Sequence, residues 1–227
     1  MLRAIIFDFN GIIVDDEPIH FELFRRVLKE QGIDLSEKDY YARYLGMDDR
    51  GCFTAVYRDN GKSIGDAQLA GLIARKAVYY QETIRTNIKP FPGVTTVVPQ
   101  LAERFSLAIA SGALRDEIEL ILSTIGIRSC FRVIVSAEDV TQGKPDPEIF
   151  AKALAKLNEE HFPGKPIDPG ECLVIEDSKE GITGARQAGM KCLAVANSHR
   201  ADQLSEAHAV TDSLEQVNLN LLEALCA

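Results

Sequence analysis

The chain has 227 residues, 46% of them hydrophobic and 26% charged, which suits one large globular domain or one domain with a smaller insertion. A net charge of −9 disfavours a nucleic-acid substrate, whose phosphate backbone demands basic surface. It leaves room for a small phosphorylated ligand held by one or two local cations.

The five cysteines (Cys52, Cys130, Cys172, Cys192 and Cys226) include no Cys-x-x-Cys pair. Structural zinc and a disulfide framework are therefore not expected, and buried thiols in a reducing compartment are. No apolar stretch approaches the ~20 residues of a membrane span. The opening apolar run is cut by Asp8 and Asn10, so no signal peptide is expected and the expected location is cytoplasmic.

In chain order, the β-prone run Ala4 to Phe7 predicts a buried strand that ends in Asp8. Asn10-Gly11 turns the chain, and Asp15, Asp16 and Glu17 follow. Residues 16–88 lose strand character. Phe21, Phe24 and Leu28 fall at helical spacing, as do Leu69, Leu72, Ile73, Ala77, Tyr80 and Ile84, so the block reads as an all-helical unit. Lys89-Pro-Phe-Pro-Gly-Val closes it with a stiff turn.

Helices at about 94–103, 114–125, 147–157 and 179–188 then alternate with apolar runs at Leu107–Ala110, Val133–Ser136, Leu173–Ile175 and Cys192–Ala196. This pattern predicts a doubly wound α/β core with a parallel sheet, made from residues 1–15 and 89–227. Residues 16–88 form its helical insert. Asn158 to Glu171, rich in proline and glycine, reads as a long surface loop.

Ligands of such sheets bind at the carboxyl ends of the strands. Four polar features meet that rule: Asp8, Ser111-Gly112, Lys144 and Glu176-Asp177. Singly each is weak. A Ser-Gly after a strand is commonly a turn, a strand-end Asp is commonly a helix cap, and a loop Lys is commonly solvated. Together they suggest phosphoryl transfer. A carboxylate attacking a phosphate dianion needs a divalent cation and a further positive charge. Asp8 and Asp177 are hard oxygen donors suited to Mg²⁺, Lys144 is the second cation, and Ser111 with nearby N–H groups can hold phosphoryl oxygens.

Asp-x-Asn-Gly-x-x-x-Asp, Ser111-Gly112, Gly-Lys-Pro-Asp-Pro and Val-Ile-Glu-Asp-Ser, in this order, resemble the four motifs of the haloacid dehalogenase superfamily of phosphotransferases. The helical insert after the first motif is similar to the branch of phosphoglycolate phosphatases and β-phosphoglucomutases. The resemblance implies that Asp8 is a nucleophile forming an aspartyl-phosphate. It further implies that Ser111, Gly112 and Lys144 bind the phosphoryl group. Asp8, Asp177 with Glu176, and the main-chain carbonyl of Asn10 are implied to hold Mg²⁺. The insert would be a cap that closes over a small phosphorylated metabolite. His20 matches a cap histidine of the β-phosphoglucomutase branch, and Gly46-Met-Asp-Asp-Arg50 looks like a substrate-facing cap loop with Arg50 as an anion contact. Arg75-Lys76, on the last helix of the insert, either faces the cleft or forms a solvated helix face, and the second reading is preferred. A monomer is the usual expectation for this cap type.

One residue departs from the pattern. Family phosphatases carry an aspartic acid two residues after the nucleophile, and here it is Asn10. An amide can neither protonate a leaving group nor deprotonate water. Four explanations stand: a proton shuttle relocated to Asp16 or His20; a substrate such as an acyl phosphate that needs little protonation; a phosphate-binding protein without turnover; or an Asn that is an engineered trap or converts to Asp.

Overall fold

The computed structural model describes residues 1–45 and 47–225, with the backbone alone at residues 85–87. Gly46 and Cys226 lie outside the described residues. The chain divides into two units, Met1–Asp15 with Lys89–Ala227, and Asp16–Ile88.

The first unit is built on a sheet of six strands: β1 (Ala4–Phe7), β2 (Ser106–Ala110), β3 (Phe131–Val135), β4 (Cys172–Glu176), β5 (Lys191–Val195) and β6 (Ala209–Thr211). All pairs are parallel and the order is β3-β2-β1-β4-β5-β6. The short apolar runs are strands because both faces are covered, so no alternation with polar residues is needed. Ala4, Ile6, Ala108, Val133, Val174 and Cys192 turn to one face. Of the helices α5 (Val94–Ala102), α6 (Arg115–Thr124), α7 (Glu148–His161) and α8 (Lys179–Gln187) of this unit, the last two pack there through Phe150, Leu154 and Leu157 of α7 and Ile182 and Ala185 of α8. Ile5, Phe7, Leu107 and Ile109 alternate to the other face and are fully buried.

Strands are added outward from β1 to β2 and β3, and the chain then crosses to β4 on the other side of β1. The order therefore reverses between β1 and β4, and in sheets of this kind ligands bind in the crevice at the carboxyl ends of the strands at such a switch point. Phe7 pairs with Ile175, so Asp8 and Glu176 emerge at the same level.

The structure corrects the reading of residues 158–171 in one respect. Helix α7 continues to His161, and Asn158 grips the returning loop by bonding both the N–H of Ile167 (2.7 Å) and its carbonyl (3.0 Å). The three-residue strand β6 was not expected, since Ala209-Val-Thr is too short to show a pattern.

The second unit contains α1 (Glu17–Lys29), α2 (Glu37–Arg43), α3 (Asp49–Asp59) and α4 (Asp66–Asn87). Phe21, Phe24, Val27 and Leu28 of α1 meet Tyr40, Phe53, Val56, Leu69 and Leu72 in one core. Ser36 and Asp48 cap the N-termini of α2 and α3 through their side chains. Among the described residues, no helix is long and apolar enough to cross a membrane.

Candidate active site

Asp8 leaves β1 with its N–H donated to the carbonyl of Ile175 on β4 (2.9 Å), which fixes its backbone at the crevice. Beyond it, the N–H groups of Ile12, Ile13 and Val14 all converge on the Phe9 carbonyl. Gly11 sits at φ 83°, in the left-handed region. A Cβ there would collide with the Asp177 carboxylate. Glycine is thus required both by the turn and by the close approach of the β4 loop.

Lys144 comes from the loop before α7. Its Nζ donates to Asp8 Oδ1 (2.5 Å) and to Glu176 Oε1 (2.6 Å). Glu176 is fully buried, and its other oxygen, Oε2, accepts from the N–H groups of Asp177 and Ser178 and from the Ser178 hydroxyl, each at 2.8 Å. A Cβ on Gly181 would collide with this carboxylate, so the first turn of α8 is open only because glycine stands there. Both Glu176 oxygens are committed, and its main task in this arrangement is to hold Lys144 and the β4–α8 turn.

Asp8, Glu176 and Asp177 each offer a carboxylate oxygen within 4.8 Å of one another. Burial, offset in part by Lys144, pushes the Asp8 carboxyl up to about 6. Burial, with the nearby Asp8 and Glu176 charges, pushes Asp177 up to about 8. Burial also opposes the charge on Glu176, but the Lys144 ion pair and the Ser178 hydrogen bonds outweigh it and hold the group below its ordinary value. Burial likewise opposes the charge on Lys144, yet the two carboxylates it bridges hold it well above the usual lysine value. Three carboxylates against one ammonium leave a buried excess of negative charge. That donor set, all hard oxygen, fits a divalent cation such as Mg²⁺.

Ser111 is buried at the end of β2, where its N–H donates to Val135 and its hydroxyl accepts from the N–H of Ala113 (3.1 Å). Gly112 follows it in an exposed turn. Asn10 is half-buried in the turn after Asp8, and its backbone bridges to Val14.

The remaining predicted residues belong to the helical unit. Asp16 caps α1 by position but not by side chain. Its Oδ2 instead accepts from the Tyr80 hydroxyl (2.7 Å) and meets His20 Nε2 (3.1 Å). His20 Nδ1 faces Lys76 Nζ (2.8 Å), and Lys76 also donates to Asp49 (2.5 Å). An ammonium only donates, so Nδ1 accepts and the His20 proton sits on Nε2, pointed at Asp16. The expectation of a solvated face at Arg75-Lys76 holds for Arg75, which pairs with Glu30 at the surface. It fails for Lys76, which is 2% exposed over the ring of Phe24. Its contacts with the half-buried His20 and Asp49 make that burial possible. Arg50 is exposed and pairs with Asp66 (3.6 Å).

Sequence reasoning set Lys76 aside as solvated and did not single out Asp49 or Tyr80. It also missed the loop Asn197-Ser-His after β5, although a polar cluster directly after an apolar run is the same signal that singled out Asp8.

A parallel sheet of this order, with an acid at the exit of β1, a lysine bridging to the exit of β4 and a helical insert after the first strand, defines a class of α/β enzymes. The profile of that class, haloacid dehalogenase-like hydrolase, matches residues 5–195, and the chain belongs to this family. Its helical insert agrees with the branch of β-phosphoglucomutase and phosphoglycolate phosphatase-like proteins. Protein CbbY of Rhodobacter capsulatus is 30% identical over 217 residues, covering 91% of each chain. The phosphorylated carbohydrates phosphatase of Thermotoga maritima is 29% identical over 225 residues, covering 98% of this chain and 99% of its own. The crystal structure of β-phosphoglucomutase from Clostridium difficile shares the fold with a TM-score of 0.80, at 23% identity, over 100% of this chain and 97% of that one. Family membership makes the chain an enzyme of the hydrolase and phosphotransferase type.

Proposed function

We propose that this enzyme transfers the phosphoryl group of a small phosphorylated carbohydrate through an aspartyl-phosphate on Asp8. The observation that carries the reading is Lys144 bridging Asp8 and Glu176, with Asp177 beside them. The substrate class rests on the phosphatase relative of Thermotoga maritima.

Asp8, Asp177 and the main-chain carbonyl of Asn10 would hold Mg²⁺, and Glu176 acts through Lys144. When bound, the ion offsets the repulsion between a carboxylate nucleophile and a phosphoryl dianion. Asp8 attacks phosphorus in line, and the bond from phosphorus to the leaving oxygen breaks. Lys144 supplies positive charge beside the nucleophile, and Ser111 with the N–H groups of its turn orients the phosphoryl oxygens. The leaving oxygen takes a proton; water or a second hydroxyl then attacks phosphorus and gives up a proton, and the bond from phosphorus to the Asp8 oxygen breaks to restore the carboxylate. Asn10 can do neither, so both transfers are assigned to Asp16, with His20 and Tyr80 orienting its carboxylate. Arg50 is retained as the anion contact of the substrate.

Asn10 itself favours a second reading, in which the chain binds a phosphorylated ligand without turnover. Assay against phosphate esters and acyl phosphates with Mg²⁺ separates the two. Turnover that vanishes in Asp8→Ala supports the enzyme. Saturable binding without turnover, with activity gained in Asn10→Asp, supports the binder.

A further inference from the structure

Three consecutive side chains after β5 reach into both loops that carry the carboxylates. Asn197 Nδ2 donates to the carbonyl of Gly11 (2.7 Å), in the turn that follows Asp8 and Asn10. The Ser198 hydroxyl lies beside the Asp177 carboxylate over Gly11, where it favours the charged form. His199 Nδ1 lies 3.1 Å from the main-chain carbonyl of Asp177. A carbonyl only accepts, so this ring nitrogen carries the proton and donates it.

The two bonds and the Ser198 contact are aimed differently, at the backbone of one loop and at both the backbone and the side chain of the other. Together they oppose rotation of the Asp177 carboxylate and drift of the Asn10–Gly11 turn away from it. The loop is itself anchored from behind, since Ala196 donates to Thr211 of β6 (2.8 Å) and Asn197 to Val195 (2.9 Å). It therefore transmits the rigidity of the sheet edge to the crevice. Ser198 is exposed and Asn197 and His199 are half-buried, so none of the three is placed for core packing.

We propose that Asn197, Ser198 and His199 are positioning residues that set the divalent-cation affinity of the carboxylate site by holding Asp177 and the Asn10–Gly11 turn at a fixed separation. The proposal rests on the reading that Asp8 and Asp177 hold a cation. Partners that orient metal ligands are typically worth ~10–100-fold in affinity.

The test is calorimetric titration of the full chain with Mg²⁺, and with Mn²⁺ as a second probe, alongside melting temperatures in EDTA. Ser198→Ala and His199→Phe are expected to raise the Mg²⁺ dissociation constant by about 10-fold or more while melting in EDTA close to the parent. Ser198→Thr, which keeps the hydroxyl, and His199→Asn, whose Nδ2 stands near the place of Nδ1, are expected to recover most of the affinity. If the parent chain binds and the alanine and phenylalanine variants bind equally well, the clamp is wrong and the cation site stands. If the parent binds neither ion, the cation reading falls and the clamp falls with it.

Discussion

Lys144→Met removes the one charge that the described structure places between Asp8 and Glu176 while keeping a side chain of similar length over the Phe150 ring. The side chains of Lys144, Asp8 and Glu176 are 14%, 11% and 0% exposed, so water cannot replace the lost partner at Glu176. Breaking a buried ion pair by deleting one member typically costs about 3–5 kcal/mol, because the other charge is stranded. Glu176 keeps three donors on Oε2, and only Oε1 is orphaned, which points to the lower end, about 3 kcal/mol. For a chain of this size, ~3 kcal/mol lowers the melting temperature by roughly 6–12 °C. Differential scanning calorimetry in EDTA measures it. Mg²⁺ is expected to recover part of the loss by supplying counter-charge to the same carboxylates. A shift under about 2 °C would show that the bridge is not a structural keystone and refute the reasoning.

Gly181→Ala drives a methyl into the Glu176 carboxylate; it is expected to cost about 1–3 kcal/mol and to lower turnover with it, checked by denaturant melts and initial rates. Asp16→Asn should lower turnover by ~10²–10⁴-fold with Mg²⁺ affinity unchanged, and an unchanged rate would remove Asp16 as the proton shuttle. Burial raises the Asp139 carboxyl, but hydrogen bonds from Lys156 and Ser136 and the Arg115 charge outweigh it and hold the group well below the usual carboxylate range. A lowered folded-state value stabilises above the ordinary value of 3.8 and is lost as pH falls below it. Asp139→Asn should therefore lower stability by about 1–3 kcal/mol at pH 7 and by progressively less in acid, read from melts across that range.

The parts of this molecule that were legible in the sequence are those where a local pattern carries the physics. Ala4–Phe7 and Leu173–Ile175 are apolar runs ending in acids, and the structure makes them adjacent central strands with Asp8 and Asp177 at their exits. Lys144 could be nominated from its loop, but its bridge to Glu176 spans 32 residues and to Asp8 136, and no local pattern records such pairs. Lys76 was misread for the same reason. Its partners His20 and Asp49 lie 56 and 27 residues away, and without them a lysine on a helix reads as solvated. Asp16 could be found as an acid at the start of a helix, yet the structure uses it as an acceptor for Tyr80, 64 residues on, rather than as a cap.

The most direct measurement is acid-quench mass spectrometry of the chain after mixing with Mg²⁺ and a panel of phosphorylated carbohydrates, followed by peptide mapping. The account predicts a single phosphoryl group on Asp8, absent in Asp8→Ala, that persists longer in Asp16→Asn than in the parent because Asp16 is the group that activates water. A phosphoryl group on another residue, or turnover with none on Asp8, would contradict it.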